Sequence, residues 1–396
     1  MWRYKERLIF SANDLLTFLG CRYACLQDYL AANGQKERPE SGEDLEIIQD
    51  AGLKHEKDFL QSLQNEGRSI CAIPEQGSLE ERSAATIKAM CTGEEIICQA
   101  ALYSHPWHGF ADFLFRVDVP SKLGEHSYYP LDTKLKKTAT ADHLIQLGIY
   151  ADLIAAVQKQ LPAEVRIILG NQSEVVIPPA SVVYYLREAK QRFEDFIFAP
   201  DFDLQPEPCK HCSLCHWKDE CENIWVGEDH LWQVANIRKS QILKLRDAGI
   251  STLTDLAVAG DSLKIPKLAP DTFHKLKKQA SLQKHKQTTG ENLYHLLPTE
   301  QGRGFCRLPR PDSGDLFFDM EGDPLYPEGL EYLFGVFHRT EGEKFLAFWG
   351  HDHDEEKKAF EDTMAFFVSH LEKHPGAHIY HYNHYEETAL KRLSCR

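Results

Sequence analysis

The chain has 396 residues, of which 42% are hydrophobic and 27% charged; this is ordinary for a folded globular protein, and the length predicts two or three domains. Its formal charge of −15 argues against a protein that coats nucleic acid non-specifically. No apolar run approaches the ~20 residues that span a bilayer, and the charged N-terminus lacks the apolar core of a signal peptide, so we expect a cytoplasmic protein without membrane contact.

Apolar periodicity predicts α/β structure in the first half of the chain. A capping pattern at Ser11 opens a helix whose apolar side extends to Leu30, and a second helix is predicted from Glu43 to Glu66. Further on, strands are predicted at 70–73, 96–103, 109–119 and 128–134, a helix at 141–158, a hairpin at 165–177 and a helix at 181–198. This order predicts a mixed sheet with flanking helices.

Shifts in composition divide the sequence into four segments. We predict an α/β domain with a cysteine cluster over residues 1–225, a basic helical module over 226–290, a linker over 291–314 and a partial α/β domain over 315–396. Between Leu231 and Gly290 there are eleven Lys and Arg but only four Asp, a local surplus of seven positive charges. Such a basic island in an acidic chain indicates a localised nucleic-acid contact.

Two neighbouring predicted strands carry acidic residues among apolar ones. Asp112 lies in the first strand, and Asp132 lies two residues before Lys134 in the next. Residues i and i+2 of a strand share a face, so Asp132 and Lys134 point the same way. Two carboxylates and an ammonium at a sheet edge suit a divalent cation that activates water for phosphodiester hydrolysis. Taken singly, such residues more often belong to a solvated face.

Polar residues on the flanking helices extend this set. His55 offers a nitrogen ligand, which suits Mn²⁺, whereas the carboxylates suit Mg²⁺ and Mn²⁺ alike. Gln146 and Tyr150 are four residues apart and share one helix face, where they would contact nucleic acid or support Lys134.

The ordered set resembles the RecB-like branch of the PD-(D/E)XK nucleases over roughly the first 220 residues. The resemblance implies a restriction-endonuclease-like fold and a metal-dependent DNA nuclease, an exonuclease on single strands or ends that acts in repair, recombination or defence. A helicase region or subunit is an implied partner. The implied metal ligands are His55, Asp112 and Asp132, the implied catalytic lysine is Lys134, and Gln146 and Tyr150 are the motif that follows.

Four cysteines form a dense cluster, Cys209-x-x-Cys212-x-x-Cys215-x5-Cys221. The spacing fits a structural Zn²⁺ site and equally an iron–sulfur site. The resemblance favours the second, because RecB-like nucleases of the AddB type and the CRISPR-associated RecB-like exonucleases hold a [4Fe–4S] cluster. The implied ligands are Cys21, Cys212, Cys215 and Cys221, which leaves Cys209 as an extra cysteine.

The basic module reads as helix, tight turn at Gly249, and helix. It resembles a helix-hairpin-helix, which implies that N–H groups at the turn meet a phosphate and that Arg238, Lys239 and Lys244 contact nucleic acid. Ser251 is predicted to cap the second helix. The alternative is a helical linker whose lysines are solvated.

The last segment carries a second acidic pattern. Asp319 and Glu321 lie two residues apart on a predicted strand, and Glu386 lies where a helix opens. The segment resembles the YprB-like, RNase H-fold exonuclease domains of the DEDD type, which implies Asp319 and Glu321 as the first acidic motif and Glu386 as the second, where Asp is usual. The sequence ends before the last acidic motif of such domains, so we expect a fragment of a longer protein or a vestigial domain.

Two alternatives to a RecB-like nuclease remain at this point. One is a catalytically inactive nucleic-acid-binding or scaffold protein that uses the cysteine site and the basic module. The other is an RNase H-fold exonuclease whose site at Asp319 and Glu321 is completed in a longer chain.

Overall fold

The computed structural model describes residues 1–40 and 43–395. It divides into two compact units, Met1–Tyr294 and His295–Arg396. Both units are α/β, as the sequence predicts, and each contains its own multistranded sheet. None of the helices in the described ranges is long and apolar enough to cross a membrane.

The first unit begins with a short hairpin and continues into alternating helices and strands. The sequence patterns above include neither that hairpin nor α4. In chain order the elements are β1 (Trp2–Tyr4), β2 (Arg7–Ile9), α1 (Ala12–Gly20), α2 (Arg22–Ala32), α3 (Glu43–Asn65), β3 (Ile70–Ala72), α4 (Leu79–Thr92), β4 (Ile96–Ser104), β5 (Trp107–Val117), β6 (Ser127–Lys134), α5 (Ala141–Gln158), β7 (Val165–Leu169), β8 (Glu174–Ile177) and α6 (Val183–Phe198).

Strands β3 to β8 form a six-stranded mixed sheet in sequence order. β3 pairs with β4 and β6 with β7 in parallel, and the other neighbours are antiparallel. A parallel pair needs a crossover, which α5 provides between β6 and β7. Successive side chains of β5 point to opposite faces of this sheet and belong to two different cores. Leu114 belongs to the core that contains Ile149 of α5, and Phe113 belongs to the core that contains Leu63 of α3.

The single helix predicted from Ser11 is wrong in one respect, because the chain turns at Cys21. There φ is −156° and ψ is 107°, which is extended backbone. Cys21 ends α1 by donating its N–H to the carbonyl of Thr17, and it begins α2 by accepting the N–H of Ala24 on its Sγ at 3.4 Å. Apolar periodicity continues across this break, so it does not reveal the turn.

A helical module completes the first unit. After α7 (Lys218–Gly227) come α8 (Lys239–Asp247), α9 (Leu253–Val258) and α10 (Pro270–Thr289). The last three helices enclose their own apolar core, which includes Leu245 and Phe273. A short turn with Gly249 at φ +82° joins α8 to α9, and a longer loop over residues 259–269, with Lys267 at φ +61°, joins α9 to α10.

The second unit is a four-stranded sheet covered on one face. Its elements are β9 (Leu316–Asp323), β10 (Leu330–His338), β11 (Lys344–Trp349), α11 (His353–Lys373), β12 (Ile379–Tyr380) and α12 (Tyr385–Leu393). The sheet order is β11-β10-β9-β12, with β12 parallel to β9 and the other pairs antiparallel. Phe318 packs against Phe367 of α11 on the covered face, whereas Phe317 and Phe345 are exposed.

Candidate functional site

Asp112 lies where the pairing between β5 and β6 ends. The last residues paired between these two strands are Phe113 and Leu131. One step further, the Asp112 carboxylate replaces a ladder partner, because its Oδ2 accepts both the backbone N–H and the hydroxyl of Thr133 at 2.8 Å. These bonds fix Asp112 against the residue between Asp132 and Lys134.

Asp132 is the most exceptional group of the site, with only 1% of its surface exposed. Its Oδ2 forms an ion pair with the Lys134 ammonium, yet neither carboxylate oxygen receives a well-directed hydrogen bond from any described residue. A buried carboxylate normally accepts several hydrogen bonds. The Asp132 carboxylate is therefore placed to bind a further cation.

Negative charge accumulates around these residues. Burial raises the pKa of Asp112 well above its ordinary value, and the neighbouring Asp132 and Glu56 raise it further. Burial alone would lower the pKa of Lys134, but Asp132, Asp112 and Glu56 outweigh it, so the pKa of this ammonium lies above its ordinary value. Lys134 is therefore protonated at neutral pH.

Glu56 is the site residue that the sequence patterns missed. Its pKa is raised, first by burial and then by Asp132, and its Oε1 accepts a hydrogen bond from Gln99. Gln99 lies between the paired residues Cys98 and Ala100 of β4, with φ +54°, and is opposite Asp112 of β5. The signal in the sequence that could have identified it is its position next to His55 on the same helix.

The His55 side chain lies against β7. Its ring is 8% exposed, and its Nε2 lies 3.4 Å from the carbonyl oxygen of Ile168 on β7. Successive residues of a helix point about 100° apart. Glu56, rather than His55, thus joins the electrostatic cluster of Asp112, Asp132 and Lys134.

Gln146 and Tyr150 are brought together as their spacing predicts. The Gln146 amide donates to the Tyr150 hydroxyl at 2.8 Å. A Cβ on Gly109 would lie 2.8 Å from Cδ1 of Tyr150 and closer still to Cε1, so only glycine leaves room for this ring. Burial and then Asp132 raise the pKa of Tyr150 well above its ordinary value. A cleft of about 220 Å³, lined by Gly109, Gln146, Tyr150 and the start of α1, opens beside them.

The donor set fits a hard divalent cation in its chemistry. Within the described ranges, no three His, Cys, Asp or Glu side chains are already arranged to hold a metal ion. Asp112, Asp132 and Glu56 nevertheless interact electrostatically with one another, and the oxygens of Asp132 receive no hydrogen bond from the described residues apart from the ion pair with Lys134. Carboxylate oxygens are the ligands that Mg²⁺ and Mn²⁺ favour.

The four implied cluster ligands converge although Cys21 is far from the others in sequence. Burial, and then the neighbouring thiols of Cys215, Cys21 and Cys212, raise the pKa of Cys221 to about 12. Cys209 lies beside this group, with its Sγ 3.8 Å from that of Cys212. Cys25, by contrast, is fully buried in the main core.

Asp28 holds the two ends of this cysteine site together. It lies on α2, is 6% exposed, and accepts hydrogen bonds at 3.0 Å from the rings of His216 and Trp217. Burial alone would raise the pKa of Asp28, but these two hydrogen bonds outweigh it and the pKa is lowered. The carboxylate thus joins the helix that begins at Cys21 to the segment between Cys215 and Cys221.

The basic module places its predicted contacts in different surroundings. Arg238 is exposed, Lys239 pairs with Glu207 at 2.5 Å, and Lys244 donates to the carbonyl of Lys267 at 2.7 Å. After the Gly249 turn, the N–H groups of Ser251 and Thr252 donate to the Asp255 carboxylate. The predicted Ser251 cap is wrong, because the side chain of Thr252 accepts the N–H that opens α9.

In the second unit, Asp319 and Glu321 are both exposed on one face of β9. Asp319 and His381 line a cleft of about 420 Å³ together with exposed aromatic residues. Glu386 is only 3% exposed, and its Oε2 lies 3.3 Å from Nδ1 of His381. His381 therefore lies between the first acidic motif and Glu386.

One comparison with known proteins identifies part of the chain. A family model of the RNase H superfamily matches residues 316–396. Curated proteins show no match to this chain. The matched residues span all four strands and both helices of the second unit. The C-terminal part is therefore an RNase H-like domain, a fold whose superfamily commonly contains hydrolytic nucleases.

Proposed function

We propose that the first unit is a metal-dependent nuclease of the RecB-like PD-(D/E)XK type, which hydrolyses DNA at single strands or ends. The observation that carries the proposal is the Asp132 carboxylate, which is 1% exposed and, apart from its ion pair with Lys134, receives no hydrogen bond from the described residues. Asp112 and Glu56 add carboxyl groups, and Lys134 offers one positive charge. Such an excess of buried acid is costly unless protons or a cation compensate it.

Asp112, Asp132 and Glu56 are the residues that would hold Mg²⁺ or Mn²⁺. A bound cation would supply Lewis-acid activation of water and of the phosphate. Burial and mutual repulsion raise the pKa values of Asp112 and Glu56, and a bound cation would relieve that repulsion. Lys134 forms an ion pair with Asp132, where it would stabilise negative charge on the phosphate.

Cleavage of single- and double-stranded DNA in Mn²⁺ tests this assignment. Asp132→Asn and Lys134→Ala should each lower the rate by at least ~100-fold, the typical cost of removing an electrostatic stabiliser. Lys136→Ala is the matched control, because Lys136 is exposed just beyond β6. Full activity in both site variants would disprove the proposed centre.

The proposal includes a structural [4Fe–4S] cluster held by Cys21, Cys212, Cys215 and Cys221. Their electrostatic proximity supports it, as does the Asp28 brace between the two contributing segments. A Zn²⁺ ion at the same cysteines is the alternative. Absorbance near ~400 nm with bound iron and sulfide distinguishes the cluster from zinc.

We also propose that the basic module contacts the DNA backbone through Arg238, Lys239 and Lys244 together with further lysines. Arg238 is exposed, Lys239 forms a surface ion pair with Glu207, and Lys244 donates to the carbonyl of Lys267. Asp255 accepts the N–H groups of Ser251 and Thr252. The exposed lysines in the loop before α10 and on α10, such as Lys267, Lys275 and Lys278, supply the remaining positive charge.

A second candidate activity belongs to the RNase H-like domain. It is favoured by the family match and by Asp319 and Glu321, which share one face of β9 beside His381. The two sites are separated by adding Asp319→Asn to the cleavage assay. Loss of activity in Asp319→Asn with full activity in Asp132→Asn would assign hydrolysis to the second unit.

A further inference from the structure

Cys209 is the one cysteine of the Cys209–Cys221 segment that the proposed cluster does not use. Its Sγ lies 3.8 Å from the Sγ of Cys212, and both residues are partly exposed. The turn between them is already closed, because the N–H of Cys212 donates to the carbonyl of Cys209 at 3.1 Å. The N–H of Cys209 in turn donates to the Sγ of Cys212 at 3.3 Å.

The two sulfur atoms are at van der Waals separation, from which a disulfide can form. A disulfide has a sulfur–sulfur bond of about 2.05 Å and Cβ atoms roughly 3.8 Å apart. Two thiols at 3.8 Å in a turn with its backbone hydrogen bond in place need side-chain rotation to reach that length. In the described part of the chain, no other pair of cysteine sulfurs lies within hydrogen-bonding range.

We propose that Cys209 and Cys212 form a disulfide when the cluster is absent, and that this bond prevents cluster assembly. The inference rests on the proposed function in one respect, namely that Cys212 is a cluster ligand. A sulfur atom bonded to Cys209 has no thiolate to offer iron, so the disulfide and the four-cysteine cluster exclude each other. Cys209 is thus a modification site for thiol oxidants such as oxidised glutathione.

The reaction is two thiol–disulfide exchanges in sequence. The Cys209 thiolate attacks one sulfur of oxidised glutathione, which forms a mixed disulfide and releases one glutathione thiolate. The Cys212 thiolate then attacks the Cys209 sulfur, which closes the protein disulfide and releases the second glutathione. Two protein thiols lose two electrons and two protons, and one oxidised glutathione becomes two reduced ones.

The test uses the full chain after removal of any bound metal under anaerobic conditions. Oxidised glutathione should produce a Cys209–Cys212 disulfide, seen by mass spectrometry as a peptide lighter by two hydrogens. The oxidised protein should take up less than ~10% of the iron and sulfide that the reduced protein takes up, and dithiothreitol should restore uptake. Cys209→Ser should assemble the cluster equally well before and after the same treatment.

Cys306→Ser is the control for unspecific oxidation, since Cys306 is an exposed cysteine outside the segment. A disulfide between other cysteines, or none, would overturn the proposal. So would a Cys209→Ser protein that cannot hold the cluster, because Cys209 would then be a ligand. If the reduced protein takes up zinc but no iron, the proposed cluster fails, whereas the peptide analysis still decides whether the disulfide forms.

Discussion

At the residue scale, the absence of a Cβ at Gly109 shapes the candidate site of the first unit. The Tyr150 ring occupies the space that a Cβ on Gly109 would need, and its hydroxyl accepts the hydrogen bond from Gln146. The ring lines the cleft, and burial and then Asp132 raise the pKa of its hydroxyl. A sequence with any other residue at this position would have to move Tyr150.

Gly109→Ala should therefore destabilise the first unit by about 1 to 3 kcal/mol, the usual cost of overpacking, and should also lower DNA cleavage. Denaturant unfolding followed by tryptophan fluorescence measures the first effect. Gly52→Ala on α3 is the matched control, because a Cβ at this position meets nothing within 4 Å. Alanine also has a higher helix propensity than glycine, so this substitution should not destabilise the helix. Unchanged stability and activity in Gly109→Ala would show that Tyr150 is not held in this position.

At the element scale, the orientation of α3 determines which of its adjacent residues, His55 or Glu56, lies near the carboxylates. Strand alternation predicted that Asp132 and Lys134 share a face, and helical spacing predicted the Gln146–Tyr150 pair, because both are local rules. The choice between His55 and Glu56 is not local. It depends on how α3 is rotated against the sheet, which the packing of Leu63 and Phe113 sets.

This rotation predicts different effects for the two neighbours. Glu56→Gln should weaken Mn²⁺ binding by at least ~10-fold, as the loss of a group at a metal site typically does. His55→Phe should leave Mn²⁺ affinity nearly unchanged, because the histidine contacts the Ile168 carbonyl. Calorimetric titration with Mn²⁺ measures both, and the exposed Asp58→Asn on the same helix is the control. The reverse order of effects would restore His55 as the ligand.

Other features of the first unit could not be predicted from the sequence, because they also depend on contacts between distant residues. The break at Cys21 leaves apolar periodicity intact, so a single helix was predicted. The sequence does not show that Lys239 pairs with Glu207 or that Lys244 donates to the carbonyl of Lys267, because these partners are 32 and 23 residues away. Pairings of this kind exist only once the chain is folded.

At the scale of the whole molecule, the two units have separate determinants of stability. In the second unit, Asp315 joins the start of β9 to β12 by accepting the backbone N–H groups of Asp312 and His378 at 2.8 and 2.9 Å. Burial alone would raise the pKa of Asp315, but these hydrogen bonds outweigh it and the pKa is lowered. The carboxylate therefore stabilises the fold in its ionised form.

The sign of the pH dependence follows from that direction. The contribution of Asp315 is fully present above the unfolded pKa of about 3.9 and is lost as pH falls through the lower folded value. Asp315→Asn should cost about 1 to 3 kcal/mol at neutral pH, and its difference from wild type should shrink below pH ~4. Hydrogen exchange of β9 and β12 peptides measures this, with the exposed Glu372→Gln as control. A difference independent of pH would contradict the role of the charge.

The hydrogen bond between Asp28 and Trp217 also determines when this part of the fold can form during synthesis. The two residues are 189 residues apart in sequence, so α2 leaves the ribosome long before Trp217. At ~5–20 residues per second, roughly 10–40 s separate the two events. The buried Asp28 carboxylate must therefore wait for its partner, and conditions that slow elongation lengthen the interval in which this hydrogen bond is absent.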